Sequence, residues 1–230
     1  MKKLGIIGGM GPRATALLYN RIISLQKVNS DQDYFDAVIW SQPSIPDRTA
    51  YILGKTEESP AKHIEKAANE LAKMGMDILC VPCLTAHSLF GEIHFTLPVI
   101  NMFTLTLDSL QKSNRMRAGL LATEGTYVSG TFEKLAQKYG IELLVPSKSE
   151  RENVMNTIYK HLKLKSDEAL GVSAISSVIE SMLDRKVDAI IAGCTELSLL
   201  RIDDAIVPFW LDPLELLAQK CVQECALVTS

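Results

Sequence analysis

The chain has 230 residues, 47% of them hydrophobic and 22% charged, which is ordinary globular usage and enough apolar material for one large domain or two small ones. A formal net charge of −3 with no Lys/Arg cluster argues against a nucleic-acid partner, because neutralising phosphates needs concentrated positive charge, and points instead to a small ligand. Five cysteines, an odd number without framework spacing, argue against a disulfide scaffold and read as free thiols.

Met1-Lys2-Lys3 runs directly into a short apolar strand, without the apolar stretch and small-residue cleavage site of a leader. No segment approaches the ~20 apolar residues of a membrane span, so a cytoplasmic protein with no membrane partner is expected. Buried strands are predicted over Leu4 to Gly8, Ala37 to Trp40, Ile78 to Pro82 and Pro98 to Asn101. Four more follow over Ala118 to Ala122, Glu142 to Val145, Ala189 to Ala192 and Val207 to Leu211. Amphipathic helices are predicted between them over Ala14 to Gln26, Ala61 to Met74, Gly130 to Tyr139, Glu152 to Lys163 and Ala174 to Arg185. A last helix, Leu214 to Leu227, is expected to return to the first half. Strands alternating with helices imply right-handed crossovers and a parallel sheet in each half, an α/β fold.

The halves share more than composition. Asp77-Ile78-Leu79-Cys80-Val81-Pro82-Cys83-Leu84-Thr85-Ala86-His87 and Asp188-Ala189-Ile190-Ile191-Ala192-Gly193-Cys194-Thr195-Glu196 each open on Asp, continue as an apolar strand, and place a cysteine and a threonine at the turn that follows. In open parallel sheets ligands bind beyond the carboxyl ends of the strands, where both cysteines fall. Two thiols on opposite walls of one cleft suit two-base proton transfer at a carbon acid, with a thiolate as base and the facing thiol as acid. A turn into a helix N-terminus is expected to help populate the thiolate. A single buried cysteine is ordinarily an inert small hydrophobe, but duplication in matched settings reverses that reading. Cys80 and Cys83 form a C-x-x-C, yet no second pair lies at metal spacing, and residues three apart in a strand point to opposite faces. Cys221 and Cys225, four apart on an apolar helix face, are core residues. The glycine turn Gly8-Gly9-Met10-Gly11-Pro12 lacks nucleotide-binding spacing and reads better as a carboxylate cradle.

Four motifs in order, Gly8-Gly9-Met10-Gly11-Pro12-x-Ala14-Thr15, Ile45-Pro46-Asp47-Arg48-Thr49, Pro82-Cys83-x-Thr85-Ala86-His87 and Gly193-Cys194-Thr195-Glu196, resemble the aspartate/glutamate racemase family, specifically its cofactor-independent aspartate racemases. The resemblance spans nearly the whole chain. It implies two similar parallel-sheet domains related by pseudo-two-fold symmetry, residues 1–102 with 212–230 and residues 103–211, and an active site in the interdomain cleft. It also implies a homodimer, an amino-acid substrate, and no cofactor, pyridoxal phosphate or metal. Cys83 and Cys194 match the two catalytic acid/base residues. Arg48 matches a substrate-carboxylate contact, for which a guanidinium fork has the right geometry. Lys163 resembles a second cationic contact serving the side-chain carboxylate of aspartate, with Lys165 nearby. Thr85 and Thr195 would bond the substrate's carboxylate or amino group, and Met10 would offer a backbone N–H. Asp47 and Glu196 either orient and tune the thiols or cap helices.

One position departs from the family. Its first cysteine motif reads Cys-Asn-Thr, the Asn amide contacting substrate polar groups, whereas Leu84 stands here. Losing a hydrogen bond to a charged ligand group costs about 1.5–3 kcal/mol, one to two orders of magnitude in rate, or else changes which amino acid fits. The leading expectation is a two-thiol amino-acid racemase with aspartate as nominal substrate. Two alternatives stay open here: a weak or inactive binding protein for an amino acid or carboxylate, and another cysteine-dependent activity of the superfamily, such as a maleate isomerase-like one.

Overall fold

A computed structural model describes residues 1–163 and 168–226. The chain divides into two compact units, Met1–Met102 with Leu214–Ser230, and Phe103–Pro213. In the first, strands β1 (Leu4–Gly8), β2 (Ala37–Ser41), β3 (Ile78–Cys80) and β4 (Val99–Ile100) form a parallel sheet in the order β2-β1-β3-β4. In the second, β5 (Arg117–Leu121), β6 (Glu142–Leu144), β7 (Ala189–Ala192) and β8 (Trp210–Leu211) repeat that order as β6-β5-β7-β8, again parallel. The expected α/β fold with two four-stranded parallel sheets is therefore present, and β1, β3 and β7 are fully buried runs, as is β5 from Ala118 on, in keeping with central strands covered on both faces.

The paired aspartates explain part of the repeat. Asp77 Oδ2 accepts the Lys3 N–H at 2.7 Å, and Asp188 Oδ2 accepts the N–H groups of Met116 and Arg117 at 3.1 and 2.9 Å. Each carboxylate thus fastens the start of one central strand to its neighbour.

Strand ends differ from expectation. β3 stops at Cys80, not Pro82, since proline has no N–H for the ladder and the chain turns there, Cys83 N–H bonding Val81 O at 2.8 Å. The stretch from Val207 bonds back to Asp203 and Ile206 in turns, which leaves only Trp210–Leu211 as strand. The predicted helix Glu152 to Lys163 begins earlier. Ser147 and Glu150 form a capping box that starts an α-helix at Lys148–Asn156, and this runs into a π-helix over Thr157–Lys163. Both cysteine turns lead into 3₁₀ segments, Leu84–Glu92 and Leu197–Leu199.

The last helix spans Pro213–Cys225, and Leu227 of the predicted span lies outside the described residues. Lys2 N–H bonds Cys225 O at 3.1 Å, Arg21 pairs with Glu215 at 3.4 Å, and Leu214, Leu217, Ala218 and Cys221 are sealed from solvent. Cys221 hydrogen-bonds Cys80 of β3, a core placement for both thiols. Among the described residues no helix is long and apolar enough to cross a membrane.

Candidate active site

Both sequence-selected cysteines sit beyond the carboxyl end of a central strand, in turns that share the bond onto the cysteine carbonyl and differ by one residue in the bond before it. After β3, Cys83 N–H closes on Val81 O at 2.8 Å and Ala86 N–H on Cys83 O at 3.1 Å. After β7, Gly193 N–H closes on Ile191 O at 2.9 Å and Leu197 N–H on Cys194 O at 2.9 Å. A side chain at Gly193 would meet the Leu121 carbonyl at 2.9 Å, so the turn lies hard against the end of β5.

The first unit gathers Met10, Arg48, Cys83 and Thr85, all buried. Gly9 has φ +93°, a left-handed conformation, and an added Cβ would lie 2.5 Å from the backbone of Gln42. Its N–H donates to Thr15 Oγ1 at 3.0 Å, and Thr15 in turn donates to Gly11 O at 3.0 Å, which fixes the loop. Arg48 is buried. Its Nη2 donates to Met10 O at 2.9 Å and its Nη1 to Pro46 O at 3.1 Å, so the cation is anchored to the glycine loop. Met10 and Cys83 belong to one buried cluster with Ile7, Ile45 and Val81. Asp47 caps the helix Arg48–Ile52, its Oδ1 accepting the Ala50 N–H at 2.7 Å. Leu84 is 1% exposed and brings a wholly apolar side chain to the residue after Cys83.

His87 acquires a part that residue spacing did not reveal. Its Nδ1–H donates to Cys83 O at 2.9 Å and its ring stacks on Phe90 at 4.1 Å. Burial pushes its pKa down to about 4, so the ring is neutral and acts as a fixed donor that holds the cysteine's backbone.

The second unit gathers Cys194, Thr195, Glu196 and Lys163. The Cys194 thiol donates to Glu196 Oε2 at 2.9 Å. Glu196 is 2% exposed, and its Oε1 is buried with no hydrogen-bond partner among the described residues. Lys163 ends the π-helix with its ammonium 4.4 Å from the Tyr159 ring centre, and its charge favours the Cys194 thiolate. Burial and the Glu196 carboxylate outweigh it and push the thiol well above its ordinary pKa. The expected activation of this thiol by a helix N-terminus is thus corrected. The segment that follows is a single 3₁₀ turn of three residues, Leu197–Leu199, too short to oppose burial and a neighbouring carboxylate. Lys165 lies outside the described residues.

Tyr127 also escaped the sequence reading. Its hydroxyl donates to Leu120 O and accepts the Ala122 N–H, both at 2.8 Å, which braces the end of β5, and Arg151 lies 5.5 Å from its ring centre. The duplication held the signal, since this loop occupies after β5 the place the glycine turn occupies after β1.

The sequence profile of the Asp/Glu/Hydantoin racemase family matches residues 7–221. The chain is 26% identical over 203 residues to the broad specificity amino-acid racemase RacX of Bacillus subtilis (strain 168), covering 85% of this chain and 86% of that protein. Its fold superposes on Picrophilus torridus aspartate racemase with a TM-score of 0.87 at 30% identity, covering 97% of this chain and 94% of the other. An aspartate racemase homologue from Pyrococcus horikoshii OT3, at 23% identity and a TM-score of 0.74 over 97% and 99% of the two chains, shares the fold.

Proposed function

We propose that this chain, which belongs to the Asp/Glu/Hydantoin racemase family, interconverts the enantiomers of a free acidic amino acid, aspartate foremost, by proton transfer between two thiols. The observation that carries this reading is the repeated turn, in which the carbonyls of Cys83 and Cys194 each accept the N–H three residues on, beyond the same strand of each sheet. One thiolate removes the α-proton from one face of the substrate while the other thiol delivers a proton to the opposite face. Reaction of the other enantiomer reverses the roles. Cys194 rests as the acid, because its proton is held by Glu196 and its burial disfavours the anion.

Charge complementarity supports an acidic amino acid. Arg48 and Lys163 would take the two carboxylates, the guanidinium by a bidentate contact and the ammonium as a point charge. Thr85 and Thr195 add neutral hydrogen bonds. Both cations are already tethered, to the glycine loop and to the Tyr159 ring, so little orientational entropy is lost when substrate arrives.

The test is α-proton exchange in deuterium oxide, followed by NMR, with the D and L forms of aspartate, glutamate and a set of neutral amino acids. Exchange is expected with aspartate, and Cys83→Ser and Cys194→Ser should each lower racemisation roughly 10²- to 10⁴-fold. Each variant should retain exchange preferentially from the enantiomer whose α-proton faces the remaining thiol. Unchanged racemisation in either variant overturns the two-thiol mechanism. Binding without exchange of any amino acid favours a carboxylate-binding protein, the reading to which Leu84 lends support.

A further inference from the structure

We infer that Glu196 receives the α-ammonium of the substrate through Oε1, making it the residue by which this site selects amino acids over carbon acids that carry no amine. The inference rests on the racemase reading above and adds a recognition element to it.

The first observation is an imbalance within one side chain. Glu196 is almost wholly buried, its Oε2 is engaged by the Cys194 thiol, and its Oε1 has no hydrogen-bond partner among the described residues. A carboxylate has acceptor sites on both oxygens, and an interior acceptor left unmet carries a desolvation cost of about 1–3 kcal/mol, more if charged. A cation bound at Oε1 would offset that cost, and an ammonium with three donors is suited to it.

The second is position. Because Oε2 touches Sγ, whatever Oε1 binds lies beside the reacting thiol. The substrate's amino nitrogen is one bond from the α-carbon that the thiol must reach, so an ammonium on Oε1 and an α-carbon at Sγ can be satisfied together. The third is charge. Lys163 places a cation by the same thiol, so this unit offers one positive and one negative group to a substrate that carries both signs.

A consequence follows for the thiol. Glu196 raises the cost of ionising Cys194, and a bound ammonium would cancel part of that like-charge repulsion. The Cys194 thiolate would then form most readily when an amine-bearing substrate is present.

Isothermal titration calorimetry tests the assignment with ligand pairs that differ only in the amine: aspartate against succinate, glutamate against glutarate, and alanine against propionate. Wild-type protein is expected to bind the amino acid it exchanges at least about ten-fold more tightly than the partner lacking the amine, the size of one charged hydrogen bond. Glu196→Gln, nearly isosteric, should weaken the amino acid about 10- to 100-fold and leave the deaminated ligand within about two-fold. Glu196→Asp, which keeps the charge, should retain the preference. A Gln variant that weakens both ligands alike, or neither, overturns the assignment, and equal wild-type affinities overturn it without any variant. Wild-type protein that neither binds nor exchanges any amino acid would instead overturn the racemase reading.

Discussion

His87 shows at the scale of one residue how the fold spends stability on the site. Its ring is neutral because burial lowers its pKa from 6.5 to about 4, against the opposing pull of the bond to Cys83 O. Between those values the unfolded chain takes up a proton that the folded chain refuses, so this contribution to stability is complete above pH 6.5 and drains as the pH falls toward 4. At about 1.4 kcal/mol per pKa unit, the window is worth roughly 3 kcal/mol. Urea unfolding at pH 7 and pH 4.5 should therefore show a larger acid-induced loss for wild type than for His87→Gln, whose amide can still donate to Cys83 O. Equal losses would mean that the ring titrates normally inside the fold. The sequence displayed His87 within a motif but not its task, because a side chain that serves a backbone carbonyl leaves no mark on hydrophobic period or charge pattern. Glu196 was visible in the same partial way. Its place beside a cysteine was legible, whereas the orphaned oxygen depends on what fails to pack around it.

The two cysteine turns belong to the scale of elements, and Gly193 shows what their geometry demands. An added Cβ would meet Leu120 Cδ1 at 2.5 Å and the Leu121 carbonyl at 2.9 Å. The first of these can swing away, but the second is backbone of a central strand and cannot. Gly193→Ala should cost about 1–3 kcal/mol, typical of overpacking, and should displace Cys194 from its place beyond β7. The expected result is a folded protein, by circular dichroism and urea titration, with exchange activity reduced at least about ten-fold, since small misplacements at a reacting atom are costly. Wild-type activity in that variant would show that the turn tolerates movement and that its match to the Cys83 turn matters little to chemistry. The strands were legible because buried parallel strands are continuous apolar runs, as in Leu4–Gly8 and Ala189–Ala192. Their ends were less so. Pro82 ended β3 early, and the turns around Val207 absorbed the expected last strand as far as Phe209. The π-helix Thr157–Lys163 was read as ordinary helix, because apolar spacing over seven residues does not separate the two geometries.

At the scale of the whole molecule, the chain completes its first unit only after building its second, because the helix Pro213–Cys225 returns to it. Sealed Leu214, Leu217 and Ala218, the Lys2 bond to Cys225 and the Arg21–Glu215 ion pair make this helix part of the first unit's core rather than a trailing segment. The ion pair is partly exposed and contributes little, so the apolar contacts decide the stability of the return. Leu217→Ala should therefore cost about 2–5 kcal/mol, a large share of a domain's usual 5–15 kcal/mol. Hydrogen-exchange mass spectrometry would locate that loss. If the helix is integral, amides in β1 and β3 lose protection together with those of Pro213–Cys225, because removing its contacts loosens the sheet it covers. Protection lost in the helix alone would mean that it frays locally and that the sheet carrying Cys83 stands without it. The first outcome would tie the framework of Cys83 to residues more than half the chain away. Long-range closure of that kind imposes a folding cost, since the loop must be ordered before the contacts that reward it can form.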